Sequence, residues 1–192
     1  MTGTFGGCAT CVGECCRRYL VPVSVVDVRA IVQATALHPT EFLTLRAVAP
    51  AVPVPGFRLE PGGQEAMVVL DRRSTGACVF LMELPGGQAR CGAYGHRPLT
   101  CRAFPTTLRH GTAAIRPDVV CGPDAWSTAT MDLAAYRDDL VAQRAAWAEH
   151  SRIVREWNTV IESTGAQRSG AQLLSHLLIA GDPAGGKAGI KG

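Results

Sequence analysis

The sequence predicts a small α+β protein, in which an irregular cysteine-rich part with short antiparallel strands packs against several helices. Three observations lead to this fold class. All eight cysteines fall within the first 121 residues. Short strand-like runs in the middle of the chain are separated by proline and glycine. Apolar residues recur at helical spacing in the last third of the chain.

The first predicted elements follow the N-terminal cysteines. The run from Arg17 to Val23 predicts a short strand. Ser24 and Asp27 then form an imperfect capping box, which predicts a helix over about Val25 to Ala34.

The middle of the chain predicts short strands between loops. His38-Pro39 opens a short helical turn that carries Phe42. The proline and glycine content from Ala47 to Gly63 predicts a loop. Runs at Ala66 to Leu70 and at Cys78 to Leu81 predict a small antiparallel sheet.

The rest of the chain predicts helices. Pro98 to Phe104 reads as one or two helical turns that end at Pro105. Apolar spacing from Thr128 to about Thr164 predicts one long helix, or two with a break near His150. A last short helix is expected over Gln172 to Ala180. We divide the chain into a cysteine-cluster module (1–126), a helical extension packed on it (127–180) and a disordered tail (181–192).

The composition is that of a folded protein and excludes several functions. The chain has 192 residues, 47% of them hydrophobic, and a net charge of +3, which is not the composition of a disordered chain. The small charge and 6% aromatic content argue against nucleic-acid binding. Because Lys187 and Lys191 are the only lysines, the folded body offers no lysine for Schiff-base chemistry.

The sequence also shows neither a membrane span nor an export signal. No apolar run is long enough to cross a bilayer, and Met1 to Gly7 lacks a basic and an apolar region. We therefore expect a cytoplasmic protein that does not bind membranes. Since thiols stay reduced in that compartment, the cysteines favour metal ligation over disulfides.

The strongest signal is the N-terminal group Cys8, Cys11, Cys15 and Cys16. The two residues between Cys8 and Cys11 allow a tight turn to direct both sulfurs at one ion. Neighbouring side chains point about 100° apart in a helix and about 180° apart in a strand. We therefore expect Cys15 and Cys16 to diverge, which favours two metal centres or a larger cluster over one tetrahedral ion.

A second group of cysteines, Cys78, Cys91, Cys101 and Cys121, lies in the middle of the chain. The gaps between them are long, so only the fold can bring them together. His96 could complete a site of three cysteines and one histidine. Arg97 and Arg102 flank Cys101, and a thiolate-rich centre favours such cations nearby. The alternative is that both are solvated surface arginines.

The order of these motifs resembles a known family. After the N-terminal Cys8-x2-Cys11-x3-Cys15-Cys16 come Cys78-Val79-Phe80-Leu81, Cys91-x2-Tyr94 and Arg97-Pro98-x2-Cys101-Arg102-x-Phe104-Pro105. Over about residues 8 to 121 they resemble the YkgJ-type CxxCxxxCC family of zinc- or iron-chelating cysteine cluster proteins. The chain departs from that family at Ala93 and Gly95, where members often carry an apolar and an acidic residue.

The resemblance implies a ligand set and a cofactor. It implies that the N-terminal cysteines bind zinc or iron with help from Cys78, Cys91 and Cys101, and that Cys121 is a further family cysteine. The family includes modules fused to flagellin lysine methylases, for which an iron–sulfur cluster is implied, but no methylase segment is evident here.

Two functions remain open at this point. The first is a cytoplasmic zinc, iron or iron–sulfur protein that serves as a redox or metal-handling component of a modification system. The second is a zinc-stapled module that binds an unidentified protein partner through its C-terminal helices. Catalysis at the metal would further require an open coordination position and a pocket. Thiolates bind zinc, copper(I) and iron–sulfur clusters alike, so the ligands alone do not identify the metal.

Overall fold

The computed structural model describes residues 11–48, 54–121, 125–129 and 131–179. Within these ranges it has five helices and six strands. The helices are α1 (Glu14–Arg18), α2 (Val25–Thr35), α3 (Leu99–Ala103), α4 (Leu133–Thr164) and α5 (Gly170–Ile179). The strands are β1 (Leu43–Ala47), β2 (Ala66–Leu70), β3 (Leu81–Glu83), β4 (Ala89–Cys91), β5 (Thr106–Arg109) and β6 (Thr112–Ile115). This mixture confirms the predicted α+β class.

The strands form three separate two-stranded sheets. β1 pairs with β2, β3 with β4, and β5 with β6. β3 and β4 are antiparallel with Leu81 opposite Cys91. β5 and β6 are antiparallel with Thr106 opposite Ile115. Since β5 and β6 are joined by His110 and Gly111, both with positive φ, they form a tight hairpin.

The described residues fall into two compact units that alternate along the chain. The first unit comprises the chain up to Val21 together with Leu70–Ala145, and the second comprises Pro22–Val69 together with the chain from Ala146. All seven described cysteines belong to the first unit. The sequential division at residues 126 and 180 stays a prediction, and the predicted tail at 181–192 lies outside the described residues.

The first unit has two small apolar clusters built mostly around small side chains. One consists of Ala77, Leu81 and Ala89, with Cys16 packed against it. The other consists of Ala103, Ala113 and Leu140, flanked by Leu108, Leu133 and Tyr136. Burying an alanine methyl group removes little apolar area from water. This unit therefore gains less from hydrophobic burial than one with a core of large side chains.

The second unit has such a core. Its fully buried side chains include Ile31, Phe42, Phe57, Ile153, Ile161, Leu173 and Leu177. Helices α2 and α5 contact each other. The capping box predicted for α2 is complete: Ser24 Oγ accepts from the Asp27 N–H at 3.2 Å, and the Asp27 carboxylate accepts from the Ser24 N–H at 2.9 Å. This reciprocal pair satisfies two backbone donors at the start of α2.

Several element predictions are confirmed and others are wrong. The strand at Ala66 to Leu70 and the helix beginning at Val25 form as predicted. The strand predicted from Arg17 to Val23 is wrong, because α1 includes Arg17 and Arg18. An ion pair one helical turn apart, from Arg18 Nε to Glu14 Oε2 at 2.7 Å, supports this helix. In the predicted segment only Pro22 makes a strand-like bridge.

Other boundaries shift. The strand predicted at Cys78 to Leu81 begins only at Leu81. The turn after His38 is a 3₁₀ turn over Pro39–Glu41 that ends before Phe42. The long helical segment is one helix with no break at His150. β1, β4, β5 and β6 were not predicted, because runs of three to five residues carry too little pattern to identify a strand.

His150 is buried inside the second unit without ordinary polar partners. The residue is 1% exposed, and neither ring nitrogen has a hydrogen bond of ordinary geometry to the described residues. The ring lies edge-on to Trp147 and Phe57, with centroids 4.9 and 5.4 Å away. Desolvation lowers the pKa of His150 to about 4, and the Pro55 carbonyl opposes this only partly.

We expect the protein to lose stability as the pH falls from 6.5 to about 4. In this window His150 is protonated when unfolded but neutral when folded, so protons favour the unfolded state. The pKa difference corresponds to about 3 kcal/mol in the free energy of unfolding. Urea unfolding of wild type and His150→Phe at several pH values measures how much His150 contributes to the pH dependence of the free energy of unfolding. An equal pH dependence in the two proteins would contradict it.

Candidate metal centre

The segment around Gly13 fixes the N-terminal cysteines that the structure describes. Gly13 precedes α1 in a left-handed conformation, with φ 81° and ψ 33°. Its N–H donates to Cys11 Sγ at 3.2 Å. The Cys11 carbonyl accepts from the Ala89 N–H at 2.9 Å, which ties Cys11 to β4. Cys8 lies outside the described residues, so its place in the site stays a prediction.

Cys15 and Cys16 lie side by side in α1, and their sulfurs are close together. The Sγ atoms are 3.9 Å apart, so the expectation that the two side chains diverge is wrong. Their Cβ directions differ as in any helix, but the side-chain torsions turn the sulfurs toward each other. Two thiolates 2.3 Å from a tetrahedral zinc lie about 3.8 Å apart. The observed spacing is therefore compatible with one shared ion.

The cysteines Cys78, Cys91 and Cys101 come from three different parts of the same unit. Cys78 is buried, and its N–H donates to the Cys16 carbonyl at 2.8 Å. Cys91 is the last residue of β4. Cys101 lies in the middle of α3. Backbone hydrogen bonds, sheet register and a helix thus place these three residues, which are distant in sequence.

The thiols of this group are close enough to influence one another electrostatically. Desolvation is the largest cause that raises the pKa values of Cys78, Cys91 and Cys101. Negative charge on Cys15 raises all three further. Cys101 also responds to Cys78 and Cys91. Cys101 is partly exposed as a residue, but its thiol is surrounded by protein and strongly desolvated.

Cys15 and Cys16 behave as one acid–base pair. A hydrogen bond from Cys16 lowers the pKa of Cys15 to about 7, against the opposing effect of burial. The same bond and burial raise the pKa of Cys16. One thiolate therefore forms readily in this pair and the second only with difficulty.

Cys121 lies within electrostatic range of two other described cysteines. Burial raises its pKa, and negative charge on Cys15 and Cys11 adds smaller effects in the same direction. The Trp126 side chain acts in the opposite direction and lowers the pKa of Cys121. Cys121 therefore borders the group on the side of Cys11 and Cys15.

Of the two predicted arginines, the structure brings Arg97 into electrostatic range of the thiols. Arg97 lies over the Tyr94 ring at 3.9 Å, and its charge lowers the pKa values of Cys15, Cys91 and Cys101. Arg102 instead forms an ion pair with Asp139. Its role at a metal centre stays a prediction. His96 is exposed in the short turn Tyr94–His96.

Sequence reasoning missed two further cations. Positive charge on Arg72 and Arg73 lowers the pKa of Cys78. Arg72 Nη1 donates to the Tyr19 carbonyl at 2.7 Å, and Arg73 Nη2 donates to the Val79 carbonyl at 2.9 Å. The signal in the sequence that could have indicated these cations is the pair of adjacent arginines five and six positions before Cys78. Hydrogen bonds to backbone now hold both near that cysteine.

The donor set fits a thiophilic cation. The described cysteines are all free thiols. Burial and neighbouring thiolates raise the pKa values of Cys78, Cys91 and Cys101 because both penalise negative charge, and a cation among the sulfurs would offset both. Within the described ranges, no three Cys, His, Asp or Glu side chains already stand together as an ion's ligands. A bound ion would therefore have to draw the sulfurs inward.

Comparison with protein families agrees with this chemistry. Residues 7–122 match the family model CxxCxxCC, described as "Putative zinc- or iron-chelating domain". The chain belongs to this family. The matched range contains all eight cysteines, so membership in this zinc- or iron-chelating family supports metal binding by the chain. Comparisons with curated proteins and with solved structures gave no significant match. Among the described helices, none combines the length and apolar character needed to span a bilayer.

Proposed function

We propose that the cysteine group of the first unit holds iron as an iron–sulfur cluster, and that this cytoplasmic protein is a redox or metal-handling component of a modification system. The observation that carries the proposal is the number of mutually coupled thiols. Cys15, Cys16, Cys78, Cys91 and Cys101 influence one another's ionisation. One tetrahedral zinc takes four ligands, and a two- or four-iron cluster takes four thiolates, so five coupled thiols exceed a single zinc site and can hold a cluster with one thiol to spare.

Two kinds of residue in this chain would hold the cluster, namely cysteines as its ligands and arginines near the sulfurs. The coupled cysteines would supply its thiolates, and Cys8, Cys11 and Cys121 extend the choice of ligands. Arg97, which acts on Cys101, and Arg72 with Arg73, which act on Cys78, would offset negative charge on the sulfurs. Charge, hydrogen bonding and exposure tune the reduction potential of such a centre. When bound, an iron–sulfur cluster supplies one-electron transfer.

A zinc-stapled interaction module is the second candidate, and one distance favours it. The 3.9 Å between the sulfurs of Cys15 and Cys16 is near the spacing of two thiolates on one zinc, about 3.8 Å. In that case the metal would stabilise a unit whose apolar clusters are small, and the function would be to bind a protein partner.

Purification without oxygen separates the two candidates. We expect brown protein that contains iron and acid-labile sulfide, because iron–sulfur clusters are coloured and zinc thiolates are not. Met82→Ser is a matched control, since it removes an exposed sulfur from the same unit and should keep the colour. A colourless protein with one zinc per chain would refute the iron–sulfur proposal and favour the interaction module.

A further inference from the structure

Helix α3, which carries Cys101 at its centre, is too short to be stable by itself. It comprises only Leu99–Ala103, and no side chain caps its first turn. An isolated helix below about 12–15 residues is marginal in water, because fixing its first turn costs more conformational entropy than one hydrogen bond returns. Contacts with the rest of the first unit must therefore hold this turn and, with it, the sulfur of Cys101.

One face of helix α4 provides such contacts. Gln143 Nε2 donates to Thr100 Oγ1 at 2.9 Å, and the Asp139 carboxylate forms an ion pair with Arg102. Asp139 and Gln143 are four residues apart, so they lie one turn from each other on the same face of α4. Thr100 and Arg102 are the two sequence neighbours of Cys101. Helix α4 therefore holds α3 on both sides of the cysteine.

Apolar packing joins the same two helices. Leu140, which follows Asp139 on α4, belongs to one buried cluster with Ala103 of α3 and Ala113 of β6. All of these residues lie in the first unit. The Asp139 side chain is 20% exposed, so solvent screens its ion pair with Arg102 less than it screens a fully exposed pair. A hydrogen bond, an ion pair and an apolar contact thus dock α3 on α4.

Helix α4 lies outside the segment that matches the chelating family. The match ends at residue 122, whereas α4 begins at Leu133. The contacts that hold Cys101 from this side therefore come from a part of the chain beyond the chelating domain.

We propose that Asp139 and Gln143 are positioning residues for the metal centre: through Arg102 and Thr100 they hold α3 on α4 and keep the Cys101 sulfur in place for a metal ion. The inference rests on the proposed metal-binding function, and it places part of the support for the centre outside residues 7–122. The apparent affinity for an ion scales with the fraction of molecules whose ligands are already in place. Loss of the α4 contacts lowers that fraction.

The first test measures how often the Cys101 thiol becomes accessible in the metal-free full-length protein. The Asp139→Ala/Gln143→Ala double variant is compared with wild type by iodoacetamide alkylation without oxygen, followed by mass spectrometry of each cysteine. We expect Cys101 to react about tenfold faster in the double variant, because one hydrogen bond and one ion pair are lost. Cys91 should keep its rate, since it lies on β4. General loosening of the unit would instead accelerate both cysteines.

A cobalt(II) titration of the same proteins measures the consequence for the metal centre. The double variant should bind cobalt more weakly by about twofold or more. Asp138→Ala/Val141→Ala is the matched control, because it also removes one carboxylate and one further side chain from the same part of α4. Asp138 is exposed and Val141 is 53% exposed, so the control should match wild type in both measurements.

The outcomes separate the two proposals. Equal Cys101 alkylation rates in the double variant and the control overturn the role of Asp139 and Gln143, as does an unchanged cobalt affinity. If Cys101→Ser still loses cobalt in that case, the proposed metal function stands. If wild type itself binds no cobalt, both proposals fall, whatever the alkylation rates.

Discussion

Cys101→Ser is expected to remove most of the bound metal and to lower the stability of the metal-loaded protein. Its thiol is strongly desolvated and lies within electrostatic range of Cys15, Cys78 and Cys91, so it belongs to the group. An ion that binds only the folded chain stabilises it by about 2.7 kcal/mol when present at one hundred times its dissociation constant. Metal analysis and urea unfolding measure the two losses.

Comparing wild type with Cys101→Ser in the absence of metal tests whether the loss of metal causes the loss of stability. After chelation, the difference in unfolding free energy between wild type and Cys101→Ser should narrow, because metal binding no longer contributes to folding. Met82→Ser should match wild type under both conditions, since Met82 is exposed and outside the thiol group. Full metal content in Cys101→Ser would show that Cys101 is not a required ligand and would contradict this prediction.

Gly13→Ala is expected to have the second large effect, and it does not depend on the metal. At φ 81° an alanine is strained, which costs roughly 1–2 kcal/mol. Its Cβ would lie 2.7 Å from Leu81 Cδ1 and 3.2 Å from Ala89 Cβ. Leu81 is only 2% exposed, so the overlap would force repacking at about 1–3 kcal/mol more. Unfolding of the metal-free protein should show the loss.

The Gly76→Ala variant separates the effect of backbone strain from that of steric overlap with Leu81. Gly76 has nearly the same φ, 80°, but nothing lies within 4 Å of an added Cβ. We expect this variant to lose only the strain energy and to keep its metal. Gly13→Ala should also lower metal affinity, because the Gly13 N–H holds Cys11 Sγ and Gly13 leads into Cys15. Equal losses in the two variants would exclude the contact with Leu81 as the cause.

A helix or strand was predictable from the sequence where the residues that determine it lie within one short segment. Ser24 and Asp27 stand three residues apart and cap the helix that follows them, so their pattern predicts its start. The apolar spacing of α4 likewise predicts a helix, although it left a break near His150 open. Only burial of that histidine among Trp147 and Phe57 explains why the helix runs through it.

The prediction of a strand at Arg17 to Val23 was wrong because contacts with residues distant in sequence determine the structure of this segment. Its residues favour a strand in isolation, but Gly13 turns the chain and Cys11 is held by β4 through the Ala89 N–H. The first turn after Gly13 is then helical and packs Cys16 against the first unit's small apolar cluster. Tertiary contacts, which local propensity does not contain, decided this segment.

The sequence by itself determined the chemistry of this protein: the number of thiols, their order and the family to which residues 7–122 belong. The tertiary structure decided which groups meet. It turned the sulfurs of Cys15 and Cys16 toward each other, brought Arg72 to Cys78, and paired Arg102 with Asp139. Residue type fixes what a side chain can bind, whereas side-chain torsions and contacts distant in sequence fix its partner, and these are set only when the chain folds.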